Sequence, residues 1–279
     1  MKLNTIYNED NLETMRRMTK TNVKVDLTIT SPPYDDMRTF SGNYEFNYKR
    51  TAVLLYHVTA EGGVVVWVVG DKAEGGDESG TSFKHALYFK DIGFNLHDTM
   101  IYQKKGMSSI GSNKAYYQGF EYMFVFTKGK IKTFNPIIDV KNRWAGTSTF
   151  GVTTIRQKDG SLKKAQGKRV INDMSKRSNI WTYAPGHDSI TGDKEIREHP
   201  AVFPEKLAHD HIISWSNEND IIYDPFMGSG TVAKVARNTN RNFIGSEINP
   251  EYCKIAQKRL NKADIFHSGE MDYITQVDG

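Results

Sequence analysis

Short apolar runs recur along the chain, and each lies near a stretch whose apolar residues have helical spacing. The predicted strands are Thr5–Tyr7, Val25–Thr30, Gly63–Val69, Thr99–Gln103, Tyr122–Thr127, Ile221–Tyr223 and Asn242–Ser246. The predicted helices are Asn11–Lys20, Ser82–Asp91, Pro204–Trp215, Thr231–Thr239 and Pro250–Ala263. Because strands alternate with helices, the pattern predicts an α/β fold with a largely parallel sheet covered by helices on both faces.

This rhythm fades between about Lys130 and Glu198, where Gly, Ser, Thr, Lys and Arg predominate. Aromatic residues interleaved there include Trp144, Phe150, Trp181 and Tyr183. From Ile131 to Glu198 there are 13 Lys and Arg against 7 Asp and Glu, a net charge of +6, whereas the whole chain carries +4. The pattern predicts a basic insertion or small second lobe, with a solvated surface loop as the alternative.

Composition narrows the class of protein. With 279 residues, of which 38% are hydrophobic, the chain can form one α/β domain with an insertion. The N-terminal sequence lacks the apolar run of a signal peptide, and no stretch approaches the length of a membrane span, so we expect a cytoplasmic protein. The one cysteine, Cys253, excludes an intramolecular disulfide and a Cys-rich zinc site.

The sequence IIYDPFMGSGT, residues 221–231, runs from a strand through a glycine-rich turn into a helix. Gly228 and Gly230 allow the backbone to turn tightly and to approach a ligand with its N–H groups. The next strand ends at Glu247, whose carboxylate can accept hydrogen bonds from ribose hydroxyls. Asp224 suits an ammonium group better than a pyrophosphate, which favours an adenosine ligand that carries an amino acid. A simple turn is the alternative, because Gly-Ser-Gly is not a full dinucleotide fingerprint.

The sequence VDLTITSPPY is a buried strand that stops at Ser31, Pro32, Pro33 and Tyr34. The two prolines remove N–H donors and leave rigid carbonyls at the carboxyl end of the strand, where α/β folds bind ligands. The Ser31 oxygen and the Pro32 carbonyl can accept the hydrogens of an amino group on a base, and Tyr34 can stack on its ring. A Pro-Pro turn with Tyr34 packed on it is the alternative.

TSPPY followed much later by DPFMGSGT resembles the N4-cytosine and N6-adenine DNA methyltransferases, in the permuted order called the beta class. The resemblance covers nearly the whole chain except the basic middle. It implies a class I S-adenosylmethionine-dependent methyltransferase fold, which has a Rossmann-like mixed seven-stranded sheet with helices on both faces. It also implies a catalytic part at 1–130, a target-recognition insertion at 131–198 that contacts DNA, and a cofactor-binding part at 199–279.

The resemblance further assigns roles to individual residues. The implied contacts with S-adenosylmethionine are Asp10, Asn11, Asp224, Phe226, Gly228, Ser229, Gly230, Thr231 and Glu247. Asp10 and Asn11 would approach the adenine ring, although Glu9 stands where the family has a glycine. The stretch from His199 to Ile213 resembles the segment that closes over the methionine end of the cofactor, with a departure from the family pattern at Val202 to Pro204.

The predicted reaction is one direct transfer of a methyl group from S-adenosylmethionine to the exocyclic amino group of a flipped base, without a metal. Family members with Ser before Pro-Pro mostly resemble N4-cytosine enzymes, so Ser31 favours N4 of cytosine over N6 of adenine. A C5-cytosine enzyme needs a nucleophilic cysteine, whereas Cys253 lies in a helical stretch after the cofactor strands.

Several alternatives stay open at this point. The chain can be a methyltransferase for RNA or a protein amide, or a non-catalytic DNA-binding protein that kept the fold. A restriction-modification role and a solitary role are both compatible with the sequence. Related enzymes are often dimers, so a homodimer is a further expectation.

Overall fold

The structure, a computed structural model, describes residues 1–33, 46–106, 116–149, 153–165, 169–184 and 203–266. These residues divide into two compact units. The first unit comprises the described parts of Met1–Asn135 and Asn179–Gly279, and the second comprises those of Pro136–Ser178.

Sixteen strands and six helices form in the described part of the chain. The helices are α1 (Asn11–Lys20), α2 (Tyr48–Val58), α3 (Thr81–Asp91), α4 (Glu205–Trp215), α5 (Thr231–Asn238) and α6 (Pro250–Phe266). The first strands are β1 (Thr5–Tyr7), β2 (Val25–Thr30), β3 (Thr59–Val69), β4 (Ala73–Glu74), β5 (Asp77–Glu78), β6 (Asn95–Lys104) and β7 (Phe120–Thr127). The later strands are β8 (Ile138–Lys141), β9 (Ser148–Thr149), β10 (Thr153–Arg156), β11 (Leu162–Ala165), β12 (Arg169–Val170), β13 (Met174–Lys176), β14 (Ile180–Tyr183), β15 (Ile221–Asp224) and β16 (Asn242–Ser246).

The main sheet of the first unit has the strand order β1-β16-β15-β2-β3-β7-β6-β14. Strand β7 is antiparallel to its neighbours β3 and β6, whereas the other neighbouring pairs are parallel. All seven predicted strands are present, and β14 adds an eighth strand at the edge. The chain proceeds outward from β15 to β16 and, in the opposite direction, from β2 to β3. The carboxyl ends of β15 and β2 therefore flank the topological switch point, where such sheets bind ligands.

Strand β3 shows why a central strand has a continuous apolar run. Val65, Trp67 and Val69 share a buried cluster with Leu55 of α2 and Phe89 of α3. The residues between them point to the opposite face of the sheet, and they are buried as well. Both faces of β3 therefore exclude water, which favours Val and Trp at every position rather than an alternation with polar residues.

The sequence analysis does not predict α2. Its residues form one uninterrupted stretch with the apolar strand β3, so helical periodicity is hard to separate from a buried strand. Tertiary packing decides the outcome, because α2 buries Thr51, Ala52, Leu55 and Val58. Its first turn is capped by Asn47, whose side chain accepts a hydrogen bond from the backbone N–H of Arg50 at 3.1 Å.

The second unit is shorter than the predicted insertion of residues 131–198. Its strands form three small antiparallel sheets, β8 with β13, β9 with β12, and β10 with β11. Between residues 136 and 178 the sequence has ten Lys and Arg against three Asp, a net charge of +7. The basic character predicted for the insertion is thus concentrated in this compact unit.

Two aromatic residues predicted in the insertion lie instead in the first unit. Trp181 and Tyr183 are on β14, which pairs in parallel with β6, and both are buried. The Trp181 ring packs against His211 of α4 with centroids 4.7 Å apart. They are core residues because alternate positions of this edge strand face α4, a pairing that the irregular sequence around them does not reveal. Phe150, also predicted there, lies outside the described residues.

Candidate active site

The two predicted functional motifs meet at the carboxyl edge of the main sheet. Ser31 directly follows β2, and Asp224 is the last residue of the neighbouring strand β15. The Thr30 hydroxyl donates a hydrogen bond to Asp224 Oδ1 at 2.7 Å. Pro32 is buried, whereas Ser31 and Pro33 are half-buried. Tyr34, the last residue of the predicted catalytic tetrapeptide, lies outside the described residues.

The Asp224 carboxyl is buried at the end of β15. Its Oδ1 atom accepts from the Thr30 hydroxyl and from the backbone N–H of Phe226 at 3.0 Å. Burial raises the pKa of Asp224 to about 7, with a smaller contribution from the charge of Glu247, and the two hydrogen bonds oppose this rise. Within the described residues, no ion pair of Asp224 is present. A cationic donor would relieve the cost of its buried negative charge, so the position suits an ammonium group.

Glu247 follows β16, on the other side of β15, and its carboxylate contacts the glycine loop. The backbone N–H of Gly228 donates to Glu247 Oε2 at 2.8 Å, and that of Asn249 donates to Oε1 at 2.8 Å. Burial raises the pKa of Glu247, and these hydrogen bonds oppose the rise. Each carboxylate oxygen can accept a further hydrogen bond, so Glu247 can bind hydroxyl groups. The next side chain, Ile248, is 53% exposed and provides an apolar surface beside this carboxylate.

The glycine loop needs glycine for its conformation and for its packing. Gly228 and Gly230 have φ angles of 50° and 80°, in the left-handed region that L side chains rarely adopt. A Cβ atom on Gly230 would also lie 2.7 Å from the Cβ of Ala256 on α6. Gly230 is the residue before α5, so this tight approach sets where the helix begins relative to α6.

The hydroxyl oxygens of Ser229 and Thr231 face the interior of the first unit. Each lies 3.1 Å from Nη1 of Arg259, a residue of α6 whose side chain is fully buried. Sequence reasoning did not single out Arg259, although its position seven residues after Tyr252 and three after Ala256 places it on the apolar face of α6, unlike the other basic residues of that helix. Phe226 packs edge-on against Phe46 with ring centroids 5.2 Å apart.

Asp10 and Asn11 lie where the chain leaves β1, which is the neighbour of β16. Asp10 caps α1 by accepting a hydrogen bond from the Leu12 N–H at 2.7 Å. Asn11 is buried, and its Oδ1 atom accepts from the Thr51 hydroxyl at 3.3 Å. Glu9 does not have a left-handed φ angle, so this turn does not require the glycine that the family has at this position. The backbone N–H of Glu247 donates to the carbonyl of Tyr7 at 3.0 Å, which brings this turn beside Glu247.

The segment expected to close over the methionine end of the cofactor is described from Phe203 onward, and His199 to Val202 lie outside the described residues. Helix α4 begins at Glu205, one residue later than predicted, with Pro204 at the N-cap position. Glu205 Oε1 accepts hydrogen bonds from Arg259 at 2.7 Å and from Lys234 of α5 at 2.9 Å. The start of α4 is thus tied to both α5 and α6.

A mixed sheet of this order, with β7 reversed and a glycine loop between two acidic strand ends, defines a class I methyltransferase fold. Two solved structures show the same fold. The PvuII DNA methyltransferase (cytosine-N4-specific) aligns with a TM-score of 0.64 at 18% identity, over 95% of this chain and 91% of that chain. The M1.HpyAVI-SAM complex aligns with a TM-score of 0.59 at 23% identity, over 92% and 99%.

Sequence comparison gives the family. The family model for N6 and N4 methyltransferases, described as DNA methylase, matches residues 25–258. The chain is 54% identical over 243 residues to the orphan methyltransferase M.BamHII of Bacillus amyloliquefaciens, covering 87% of this chain and 91% of the relative. The chain therefore belongs to the N6/N4 DNA methylase family, and it is a DNA methyltransferase that uses S-adenosylmethionine. The predictions of this family, fold and cofactor are confirmed.

Proposed function

We propose that this DNA methyltransferase modifies N4 of cytosine, and that Ser31 and Pro32 hold the target amino group. The hydrogen bond between Thr30 and Asp224 carries the proposed location of the reaction, because it fixes the residue before Ser31 to the carboxylate that begins the glycine loop. A base bound at the end of β2 and a cofactor bound at the end of β15 would be immediate neighbours. The serine in the tetrapeptide favours cytosine, as the family resemblance implies.

The residues at this edge fit S-adenosylmethionine by their chemistry. Asp224 is a buried acceptor suited to the ammonium group of the methionine part, and Glu247 is suited to the ribose hydroxyls. The exposed side chain of Ile248 offers an apolar surface for the adenine ring. Gly228 and Gly230 allow the loop backbone to approach the ligand without side chains. When bound, the cofactor supplies a methyl group on a positively charged sulfur.

Ser31 and Pro32 orient and polarise the nucleophile. The lone pair of an exocyclic amino nitrogen is delocalised into the ring, so the nitrogen is a poor nucleophile until its hydrogens are held by acceptors. The Ser31 hydroxyl oxygen and the Pro32 carbonyl are such acceptors, and they stabilise the positive charge that develops on nitrogen during transfer. The extra proton then leaves to solvent and restores a neutral amine. Tyr34 is proposed to stack on the base, as the resemblance implies.

The basic second unit is proposed to contact the DNA around the target base. Its net charge of +7 would neutralise phosphates and release counterions. Trp144 is 62% exposed, and the guanidinium of Arg143 lies 5.4 Å from the centre of its ring, so this unit presents aromatic and cationic groups together.

Helices long and apolar enough to cross a bilayer do not occur in the described ranges. A cytoplasmic location and a homodimer remain proposals, and sedimentation of the purified protein tests the dimer.

The target base is tested by mass spectrometry of nucleosides from unmethylated DNA incubated with the enzyme and isotopically labelled S-adenosylmethionine. Label in N4-methyl-2′-deoxycytidine is the expected outcome. Label in N6-methyl-2′-deoxyadenosine would show that Ser31 does not select cytosine. Ser31→Ala measured in parallel should lose the label in the same base, which assigns the reaction to this site.

A further inference from the structure

The guanidinium of Arg259 lies behind the glycine loop and bonds to both sides of its turn. Nη1 donates to the Ser229 carbonyl at 2.6 Å and lies 3.1 Å from the hydroxyl oxygens of Ser229 and Thr231. Nη2 donates to Glu205 Oε1 at 2.7 Å. The side chain is fully buried, although it ends in a guanidinium group.

Burial of this charge is costly, and helix packing alone does not explain it. Desolvating a guanidinium is energetically costly, and apolar residues of similar volume often replace buried ion pairs without loss of stability. Glu205 supplies the counter-charge and also binds Lys234, so one carboxylate serves two cations. Arg259 makes hydrogen bonds to the glycine loop and to Glu205 that an apolar residue on α6 would not make.

The contact with the Ser229 carbonyl fixes one peptide group from both sides. The carbonyl of this peptide accepts from Arg259, and its N–H, which belongs to Gly230, donates to the Met227 carbonyl at 2.9 Å. The peptide plane cannot rotate without breaking both bonds. The left-handed conformation of Gly230 is thereby held in place, and so is the start of α5.

Glu205 extends this arrangement to a second segment. It is the first residue of α4 and follows Phe203 and Pro204, the described end of the stretch expected to close over the methionine part of the cofactor. One guanidinium thus joins the cofactor loop to the beginning of that helix. The hydroxyls of Ser229 and Thr231 are engaged with it on the interior side, which leaves backbone groups of the loop for the ligand.

We propose that Arg259 is a positioning residue, which holds the glycine loop in its cofactor-accepting conformation and couples it through Glu205 to the start of α4. The inference rests on the proposed cofactor role of this loop. Without the guanidinium the turn would sample other conformations, and cofactor binding would have to order it. The effect should appear mainly in cofactor affinity, since the contacts of Arg259 among the described residues include the glycine loop and Glu205.

The test compares the wild-type protein with two variants. Arg259→Met replaces the charged side chain with an unbranched apolar one, and Arg259→Lys keeps a positive charge without the guanidinium fork. Titration calorimetry should show that Arg259→Met raises the Kd for S-adenosylmethionine at least about tenfold, with kcat at saturating cofactor within about threefold of wild type. Arg259→Lys should be intermediate, because one ammonium cannot reach both Ser229 and Glu205 as a fork does. Hydrogen exchange of residues 228–232 without cofactor should be faster in Arg259→Met.

Arg237→Met is the matched control for a general loss of stability. Arg237 is on α5, about two turns beyond Gly230, and donates to the Leu260 carbonyl of α6 at 3.1 Å. Its removal should lower Tm but leave Kd unchanged. An equal Kd in wild type, Arg259→Met and Arg237→Met would overturn the proposal. If Arg259→Met does not fold, Arg259→Lys and Glu205→Gln decide, and an unchanged Kd in both would also overturn it.

The experiment separates this inference from the proposed function. If wild type binds S-adenosylmethionine and the Arg259 variants bind it equally well, the inference fails while the cofactor role of the loop stands. If Glu247→Ala and Asp224→Ala leave the wild-type affinity unchanged, the proposed role of the loop fails instead. Hydrogen exchange of the cofactor-free proteins then still reports whether Arg259 holds the turn.

Discussion

The Thr30 hydroxyl donates a hydrogen bond of 2.7 Å to the Asp224 carboxylate, and this contact joins the last residues of two neighbouring strands that are 194 positions apart in sequence. Both partners are buried. The bond crosses the switch point of the sheet, where the chain order of the strands reverses. A change on either side of it would alter the distance between the proposed base site and the proposed cofactor site.

The first prediction concerns this bond. Thr30→Val keeps the shape of the side chain but removes the donor to a buried acid, which should weaken S-adenosylmethionine binding about tenfold and lower Tm. Calorimetry and thermal unfolding measure both effects. Thr28→Val is the matched control, since Thr28 is on the same strand and its buried hydroxyl has no hydrogen-bond partner in the described part of the chain. That control should be neutral or stabilising, and equal losses in both variants would contradict the role of Thr30.

The second prediction is a pH dependence of cofactor affinity. The pKa of Asp224 is raised to about 7 by burial, and an ammonium group binds the ionised form, so affinity should increase about tenfold as pH rises from about 6 to about 8. The folding stability of the cofactor-free protein should change with pH in the opposite direction. The stability from this raised pKa is fully present below the ordinary pKa of 3.8 and is lost as pH rises through about 7. Asp224→Asn should bind weakly with a flat pH profile, and a flat profile in wild type would exclude the ammonium site.

A third prediction separates chemistry from binding. Ser31→Ala should lower kcat about 100-fold or more, because it removes an acceptor needed as charge develops on the amino nitrogen, and leave the Kd for S-adenosylmethionine within about twofold. Tyr34→Ala should behave similarly. Asp224→Ala should chiefly weaken cofactor binding. Single-turnover rates and calorimetry measure the two quantities, and equal loss of affinity in all three variants would contradict the assigned roles.

The fourth prediction uses two glycines that precede helices in nearly the same conformation. Gly230, before α5, has φ 80° and ψ 21°, and Gly80, before α3, has φ 62° and ψ 20°. Alanine at Gly80 would meet open space, whereas at Gly230 it would meet Ala256 at 2.7 Å. Both substitutions incur the backbone strain, but Gly230→Ala should cost about 1 to 3 kcal/mol more, by urea denaturation. Equal costs would show that the approach of α6 is adaptable.

The fifth prediction is acid lability caused by His211. Burial lowers its pKa to about 3 from 6.5; its Nδ1 accepts from the Trp215 indole N–H at 3.1 Å. Below about pH 6.5 this histidine binds a proton in the unfolded chain but not in the folded protein. The free energy of unfolding should therefore decrease by about 1.4 kcal/mol for each unit by which the pH is lowered from about 6 to about 4. His211→Asn, which keeps an acceptor but cannot titrate, should be less stable at pH 7 yet show a slope smaller by that amount. Parallel slopes would refute this origin.

The sequence alone determined the elements with strong local patterns. The strands β1, β2 and β16 and the helix α1 have the predicted bounds, because period-2 or continuous apolar runs and the cap residue Asp10 act locally. The two motifs could also be recognised in sequence, because TSPPY and DPFMGSGT occur together in one chain. Their order along the chain gave the family.

Only the tertiary structure decided which distant residues serve those motifs. The spacing of Arg259 places it on the apolar face of α6, but the partners of its buried charge follow from how α6 packs against the glycine loop and the start of α4. Trp181 and Tyr183 lie in a polar, irregular stretch, and they become core residues only because β14 pairs with β6 under α4. The local sequence determines which secondary structure the backbone prefers and how the buried positions are spaced along it. The partner of a buried charge or of an edge strand depends on which elements pack together, and that is set by the whole chain.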